Sequence, residues 1–183
     1  MENPKLKFLN KVTDETKVSL GIGALIIKGY RAQWETQGSY SKTKKYALPV
    51  DDQEILLELR ADCGLWSCPG GGLVPGENIE ECIKREVKEE TNIDIIVDNL
   101  FSVYSDPKIG CVRHYLEDDF SQQMIDILLI GLPVSYKIKK SEESLDVKFF
   151  KLDDMPDNLT PTMDMAIKDY KAIYRLNKKA ILR

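Results

Sequence analysis

Three glutamates near the middle of the chain, Glu86, Glu89 and Glu90, have a spacing that could bind a metal ion. Apolar residues recur around them every three or four positions, which predicts a helix over residues 78 to 91. The apolar face of this helix consists of Ile79, Cys82, Ile83 and Val87. Continued toward the C-terminus, the same face carries the three glutamates. The solvated side is predicted to hold Glu80, Glu81, Lys84, Lys88 and Thr91.

Three carboxylates on the inward face of one helix need a positive charge nearby. Carboxylates three or four residues apart on a helix repel one another by about a few tenths of a kcal/mol per pair in water, and partial burial raises the cost. Because oxygen ligands favour hard ions, the pattern indicates Mg²⁺ or Mn²⁺. Magnesium keeps phosphate oxygens among its ligands, which points to a phosphorylated substrate. The helical spacing alone leaves a solvated, Glu- and Lys-rich surface helix equally open.

The residues around this helix define its ends. Asn78 followed by Glu81 matches a capping box, which places the helix start. Asn92 suits the C-terminal end, because asparagine tolerates the left-handed conformation found there. The segment from residue 69 to residue 76 precedes the helix and is rich in glycine and proline, which predicts a loop.

The loop and helix together resemble the Nudix box. Gly71 is followed after five residues by Glu77, and after seven more by the run from Arg85 to Ile93, Arg-Glu-Val-Lys-Glu-Glu-Thr-Asn-Ile. The single departure is Asn92, where the family usually has glycine. The wider resemblance covers residues 18 to 154, including Gly-Leu-Trp at 64–66 and Phe-Phe-Lys-Leu-Asp at 149–153.

The resemblance implies a mixed α/β fold, an α/β/α sandwich around a mixed sheet. It implies a divalent-metal-dependent hydrolase that cleaves nucleoside diphosphates linked to another group, with Mg²⁺ or Mn²⁺ as cofactor. The implied metal ligands are Gly70 (through its carbonyl), Glu86, Glu89 and Glu90, of which Glu89 and Glu90 are also catalytic candidates. The implied supporting residues are Gly71, Glu77 and Arg85, with Arg85 orienting the glutamates through charge-assisted hydrogen bonds.

The general base is left open by the sequence. Glu143, six residues before Phe149, matches a position that supplies a metal ligand or base in some relatives, and it could equally be an ordinary loop carboxylate. Its rivals lie in the stretch from residue 105 to residue 123, which is long for a loop in a compact domain. These rivals are His114, Glu117, Asp118 and Asp119.

Three residues are candidates for substrate contacts. Trp66 could stack on a base, although a tryptophan before a glycine loop is usually a core residue. Tyr104 and Pro107 belong to a Tyr-Ser-Asp-Pro segment that is similar to a proline-bearing position of ADP-ribose pyrophosphatases, and Ser-Asp-Pro is also a turn signal. This favours ADP-ribose as substrate. The alternatives are a nucleoside triphosphate pyrophosphatase and a catalytically silent nucleotide-binding regulator.

Composition and length indicate one globular domain. The 183 residues carry a net charge of -4, which argues against nucleic-acid binding. No apolar run approaches the roughly 20 residues that span a bilayer, and residues 1–7 do not resemble a signal peptide. The four cysteines form no Cys-x-x-Cys pair, and the chain has a single histidine, which argues against a zinc site. We therefore expect reduced thiols, a cytoplasmic location and a small nucleotide substrate as partner.

The expected organisation is an N-terminal extension (1–17) and one domain (18–183). This domain is expected to contain an insertion (29–53), in which residues 29–45 show no defensible periodicity, and a C-terminal helix (160–180). The segments 1–17 and 29–53 fall outside the resemblance and are candidates for a homodimer contact. The predicted strands cover residues 18–28, 54–60, 93–104, 124–134 and 145–152.

Overall fold

The computed structural model describes residues 4–28, 30–37, 40–47, 53–174 and 180–183. The strands are β1 (Leu6–Leu9), β2 (Lys17–Lys28), β3 (Tyr30–Gln37), β4 (Tyr40–Ala47), β5 (Glu54–Arg60), β6 (Trp66–Ser67), β7 (Gly70–Gly72), β8 (Ile95–Tyr104), β9 (Val112–Tyr115), β10 (Phe120–Pro133), β11 (Ser144–Lys151) and β12 (Ile181–Leu182). The helices are α1 (Ile79–Thr91) and α2 (Pro161–Asp169), with a 3₁₀ turn at Pro107–Ile109 and a π-helical turn at Tyr170–Tyr174.

Ten of the described strands form one mixed sheet. Its main order is β1-β9-β10-β2-β5-β11, with β7 beside β2, β6 beside β5, and β8 between β10 and β12. The central pair, β10 and β2, is parallel, and β12 is parallel to β8, whereas the other pairs are antiparallel. Strands β3 and β4 form a separate antiparallel hairpin.

Each face of the sheet is covered by one helix, because the buried residues of the central strands alternate between two cores. Leu25 and Ile27 of β2 pack in the core that contains α2. Ile22, Ala24 and Ile26 of the same strand pack in the core that contains α1. This two-residue alternation is what a strand buried on both faces requires. The predicted α/β/α sandwich with a mixed sheet is confirmed.

The strands predicted around the centre of the sheet are confirmed to within a few residues. The 54–60 strand has the predicted bounds, and the other four differ at their ends. Strand β8 is continuous, but its pairing with β10 shifts register twice, next to Asp98 and next to Phe101. The residues around Asp98 therefore belong to one bulged strand.

Two other segments differ from the prediction. Residues 105–123 are not a long loop. They contain the 3₁₀ turn, β9 and the start of β10, and β9 pairs with β10 in a hairpin whose turn covers residues 116–119. No periodicity was found in residues 29–45, yet most of this stretch belongs to the paired strands β3 and β4. The overlooked signals were an alternation of Tyr30, Ala32 and Trp34 with polar residues, and a Gly-Ser dipeptide between the two runs.

The terminal segments are partly described. Leu6–Leu9, within the proposed N-terminal extension, pairs with β9 at the edge of the sheet. The C-terminal helix begins at Pro161 after Thr160, as its sequence indicates. It changes to π-helical geometry at Tyr170, and residues 175–179 of the predicted helix lie outside the described residues. No helix within the described ranges is long and apolar enough to cross a bilayer.

Candidate active site

Helix α1 is held at both ends by the contacts that its sequence predicts. The Asn78 side chain accepts a hydrogen bond from the Glu81 amide at 2.9 Å, and the Glu81 carboxylate accepts one from the Asn78 amide at 2.9 Å. Asn92 adopts the left-handed conformation with φ 61°. Asparagine thus ends the helix in the left-handed conformation that glycine usually adopts at this position.

The three box glutamates do not share one environment. The side chain of Glu86 is 15% exposed, that of Glu89 is 59% exposed, and residue Glu90 is 7% exposed. Glu86 and Glu90 face inward as predicted, whereas Glu89 lies at the outer rim of the cavity. The prediction of three inward carboxylates is therefore wrong for Glu89. At 100° per residue, position 89 falls between the buried and the solvated sides of the helix.

Two further positions on α1 also differ from the predicted faces. Thr91 is fully buried, because its hydroxyl donates to the Val87 carbonyl at 2.6 Å and so needs no solvent. Ile79 is 38% exposed, since it lies in the first turn, beyond the region that packs on the sheet.

The glycine strand β7 lies directly against the inward glutamates. The Gly70 amide donates to Glu90 Oε2 at 2.8 Å. A Cβ atom on Gly71 would lie 2.5 Å from the Glu86 carboxyl group, so only glycine allows the carboxylate to approach this closely. Gly70 has φ 154°, and a Cβ atom there would lie 2.2 Å from the Ile22 carbonyl oxygen. The glycines predicted in the loop therefore form a strand that brings the backbone to the carboxylates.

Arg85 connects the loop to the helix. Its guanidinium donates to both carboxylate oxygens of Glu77, to Glu86 at 2.8 Å and to Glu89 at 3.1 Å. It also donates to the Gly72 carbonyl at 3.2 Å. These contacts are the ones expected of a residue that orients the glutamates. The hydrogen bonds from Arg85 lower the pKa of Glu77 to about 2.

A buried carboxylate that the sequence reasoning missed lies near Glu90. Glu58, in β5, is 2% exposed and accepts a hydrogen bond from the Ser144 hydroxyl at 2.8 Å. Burial raises the pKa of Glu58, and burial together with the charge of Glu58 raises the pKa of Glu90 to about 9. A glutamate within the otherwise apolar run of β5 was the available signal.

These groups line a cavity of about 770 Å³, a size typical of small-molecule sites. Its acidic side carries Glu86, Glu89 and Glu90, joined by Glu142 and Glu143 from the segment before β11. The lining also includes Arg60, Arg113 and Asp126, which the sequence reasoning missed because they are distant in sequence from the box.

The donor set fits a hard divalent ion. Carboxylate oxygens crowd one side of the cavity. Burial is the main cause that raises the pKa values of Glu58 and Glu90, so a bound cation would favour the ionised form of these carboxyl groups. Within the residues that the structure describes, no three acidic, histidine or cysteine side chains already converge on one point. Glu89 would have to leave Arg85 to join Glu86 and Glu90.

The rivals of Glu143 lie elsewhere. Glu117, Asp118 and Asp119 occupy the turn between β9 and β10, where Glu117 pairs with Lys5 at 3.0 Å. The His114 ring contacts the Ser121 hydroxyl at 3.0 Å in the same hairpin. None of these four side chains lines the cavity, whereas Glu143 does.

The proposed substrate contacts are also not in the cavity. Trp66 is a core residue whose ring packs edge-on against Phe150, with centroids 4.7 Å apart. Tyr104 is fully buried, and its hydroxyl donates to Asp169 at 2.9 Å. Pro107 opens the 3₁₀ turn and does not line the cavity. Direct substrate contacts from Trp66 and Tyr104 are therefore contradicted, because packing of these aromatic side chains takes them out of reach.

The fold and the site define a class of protein: an α/β/α sandwich in which a capped, glutamate-bearing helix and a glycine strand form one side of a cavity. A family model described as the NUDIX domain matches residues 46–170. The chain therefore belongs to the Nudix hydrolase family.

Individual relatives agree with this assignment. The chain is 32% identical over 122 residues to an ADP-ribose pyrophosphatase of Methanocaldococcus jannaschii, covering 65% of this chain and 66% of the relative. It is 41% identical over 64 residues to a putative 8-oxo-dGTP diphosphatase of Bacillus subtilis, covering 35% and 43%. The crystal structure of a Nudix hydrolase from Nitrosomonas europaea has the same fold, with a TM-score of 0.62 and 18% identity over 92% of this chain and 80% of that one.

Proposed function

We propose that the protein is a divalent-metal-dependent pyrophosphohydrolase that cleaves a nucleoside diphosphate linked to a second group, with ADP-ribose as the favoured substrate. The observation that carries the proposal is the cavity in which Glu86 and Glu90 lie against the glycine strand. The similarity to the ADP-ribose pyrophosphatase of M. jannaschii supports ADP-ribose.

In this proposal Glu86, Glu89, Glu90 and the Gly70 carbonyl would hold Mg²⁺ or Mn²⁺. The bound ion would supply charge stabilisation on the phosphoryl oxygens and a more acidic water. Arg85 holds Glu86 and Glu89 in position through its hydrogen bonds, while Glu77 fixes Arg85 and also accepts from the Val74 amide at 3.0 Å. The hydrogen bond from Arg85 thereby keeps the Glu86 carboxylate turned toward the cavity.

Glu143 is our candidate for the general base. It lines the cavity on a segment that Ser144 ties to the buried Glu58, and its own amide donates to the Ser141 hydroxyl at 3.2 Å. From there its carboxylate could take the proton of an attacking water. Glu89 and Glu90 remain catalytic candidates through the same chemistry.

The second candidate function is a nucleoside triphosphate pyrophosphatase, which the similarity to the putative 8-oxo-dGTP diphosphatase supports. A silent nucleotide-binding regulator ranks below both, because all box glutamates are present.

A substrate screen with Mg²⁺ and product identification tests the proposal. Hydrolysis of ADP-ribose should give AMP and ribose 5-phosphate, because the box glutamates face the anhydride. Cleavage of a nucleoside triphosphate to a monophosphate and pyrophosphate, without ADP-ribose turnover, would decide for the second candidate. Binding without any hydrolysis would decide for the regulator.

A further inference from the structure

Two glycines of β2, Gly21 and Gly23, are among the residues that line the cavity. A Cβ atom on Gly21 would lie 2.6 Å from Asp126 Oδ1. A Cβ atom on Gly23 would lie 2.7 Å from Leu128 Cδ2 and 3.1 Å from Cys68 Sγ. Glycine at position 21 therefore lets the Asp126 carboxylate extend over the strand toward the cavity.

Asp126 is buried but paired with an arginine that also lines the cavity. It is 6% exposed, and Arg113 Nη2 donates to its two oxygens at 3.0 and 3.1 Å. Within the described part of the chain, the Nη1 and Nε groups of Arg113 donate to no other protein atom within hydrogen-bonding distance. The pair thus offers the cavity both hydrogen-bond donors and a carboxylate acceptor.

The sheet register sets how far this pair lies from the acidic side. Asp126 is directly opposite Gly21, and Gly21 is directly opposite Gly72 of the glycine strand. Two strand spacings separate Asp126 from Gly72, or roughly 10 Å. If the phosphoanhydride of a substrate lies at the glycine strand, the group beyond its phosphates would therefore reach Arg113 and Asp126.

The charges of the cavity favour an uncharged group at this position. Asp126 would repel a phosphate, and the charge of Arg113 is already balanced by Asp126. The other two arginines that line the cavity are engaged: Arg60 donates to both carboxylate oxygens of Asp62, and Arg85 binds the box loop. Adjacent donors and acceptors suit a vicinal sugar diol or the edge of a base, each of which both donates and accepts.

We propose that Arg113 and Asp126 form the recognition site for the uncharged, hydrogen-bonding end of the substrate, the end that lies beyond the phosphates. This inference rests on the proposed pyrophosphohydrolase function. It adds a specificity-determining pair that is distant in sequence from the box.

Three substrates test it: ADP-ribose, the β-methyl ester of ADP, which lacks the terminal ribose, and the methyl ester of ribose 5-diphosphate, which lacks the nucleoside. Arg113→Met should lower kcat/KM for ADP-ribose by about 10- to 100-fold, mainly by raising KM. The methyl ester that lacks the group bound by the pair should have the same kcat/KM with Arg113→Met as with the wild type. That ester shows whether the nucleoside or the terminal sugar binds there.

Two further variants separate recognition from folding. The double variant Arg113→Met with Asp126→Leu leaves no unpaired buried charge, and it should show the same selectivity loss in a stable protein. Arg183→Met is the matched control, because Arg183 also pairs with a buried aspartate, Asp169, at 2.8 Å, but does not line the cavity. It should lower stability while leaving the KM values unchanged.

Equal losses of kcat/KM on all three substrates, or no loss on any, would overturn the inference.

If the wild-type protein hydrolyses none of the three substrates, the proposed function fails on these substrates. Calorimetric binding of AMP and ribose 5-phosphate then decides the inference. Binding of one of these ligands that Arg113→Met weakens at least tenfold, and that Arg183→Met leaves intact, would support the pair. Equal affinity in the wild type and in Arg113→Met, or no binding of either ligand, would overturn it.

Discussion

At the scale of single residues, neighbouring glutamates of one motif have different physical roles. Glu90 is buried beside Glu58 and fixed by the Gly70 amide, whereas Glu89 is solvated and fixed only by Arg85. A carboxylate at the rim can change its rotamer at little cost, because it loses no buried contact. Glu90 therefore has a defined position before any ligand binds, and Glu89 is free to adjust.

Removing the charge of a box glutamate tests these roles. Glu89→Gln and Glu90→Gln should each lower turnover by roughly 10²- to 10⁴-fold, since each change keeps the shape but removes a ligand or proton acceptor. Glu81→Gln is the control on the same helix, because glutamine can still complete the capping box, and it should be nearly silent. Equal losses at all three positions, measured by steady-state kinetics, would contradict the assignment of the helix faces.

The Glu77–Arg85 contact predicts a pH dependence of stability. The pKa of Glu77 is lowered to about 2 from an ordinary value of 4.5, so the folded state binds the proton more weakly than the unfolded state does. The resulting stabilisation is present above pH 4.5 and is lost as the pH falls toward 2. Glu77→Gln should therefore lower the melting temperature at pH 7.

The difference between wild type and Glu77→Gln should shrink progressively between pH 4.5 and pH 2, the interval between the two pKa values. Thermal denaturation across this range measures it. The exposed pair Lys84–Glu80 provides the control, since Glu80→Gln should have little effect at any pH. A constant difference down to pH 2 would mean that the charge of Glu77 does not contribute to stability.

At the scale of elements, a helix, a glycine strand and one short segment assemble the acidic side of the cavity. Helix α1 contributes the box glutamates, and β7 lies between the helix and β2. The segment before β11 adds Glu143, and Ser144, the first residue of β11, donates a hydrogen bond to the buried Glu58. The Ala61 amide also donates to the Glu143 carbonyl at 3.0 Å, so the backbone of this segment is held while the carboxylate faces solvent.

Glu143→Gln distinguishes two roles for this segment. A general base at position 143 predicts a fall in turnover with substrate and metal affinity largely unchanged, because only the proton acceptor is lost. A metal ligand predicts that metal affinity falls together with turnover. Steady-state kinetics combined with a metal titration separates the two outcomes, and Glu142→Gln is the adjacent control. An unchanged rate would exclude Glu143 from both roles.

At the scale of the whole molecule, two cores on opposite faces of the sheet hold the two sides of the cavity. The core on one face anchors α1, and the core on the other face anchors α2, whose Thr162 and Met163 also line the cavity. Within α1, Arg85 contacts two of the three box glutamates, Glu86 and Glu89. An ion that binds the acidic side of the folded state stabilises that state by mass action.

Metal binding should therefore raise the melting temperature. At Mg²⁺ or Mn²⁺ concentrations about 100-fold above Kd, the increase should be about 5 to 10 °C for a chain of this size. NaCl at equal ionic strength controls for screening, and Glu90→Gln should reduce the shift. EDTA should abolish hydrolysis, so full activity after exhaustive metal removal would contradict metal dependence.

The homodimer contact at 1–17 and 29–53 stays a prediction, which light scattering of the protein with and without these segments tests.

The sequence by itself determined the local features, because they depend on neighbouring residues. The capping box at Asn78 and the helix end at Asn92 follow from spacings of a few positions, and both have the predicted form. The glycine run was predicted as a loop, and pairing with β2 makes Gly70–Gly72 a strand. The buried strands followed from runs of apolar residues. The same local spacing was ambiguous only where a helix position lies between two faces, as at Glu89 and Thr91.

The tertiary structure alone decided which distant residues meet. Glu58, Arg113 and Asp126 come from three strands, and no periodicity relates them to the box. Trp66 and Tyr104 were assigned to the substrate by their chemistry, yet burial of their large apolar surfaces places them in the core or out of reach of the cavity. The order of strands across the sheet sets these distances, and strand order is a property of packing that the local sequence does not encode.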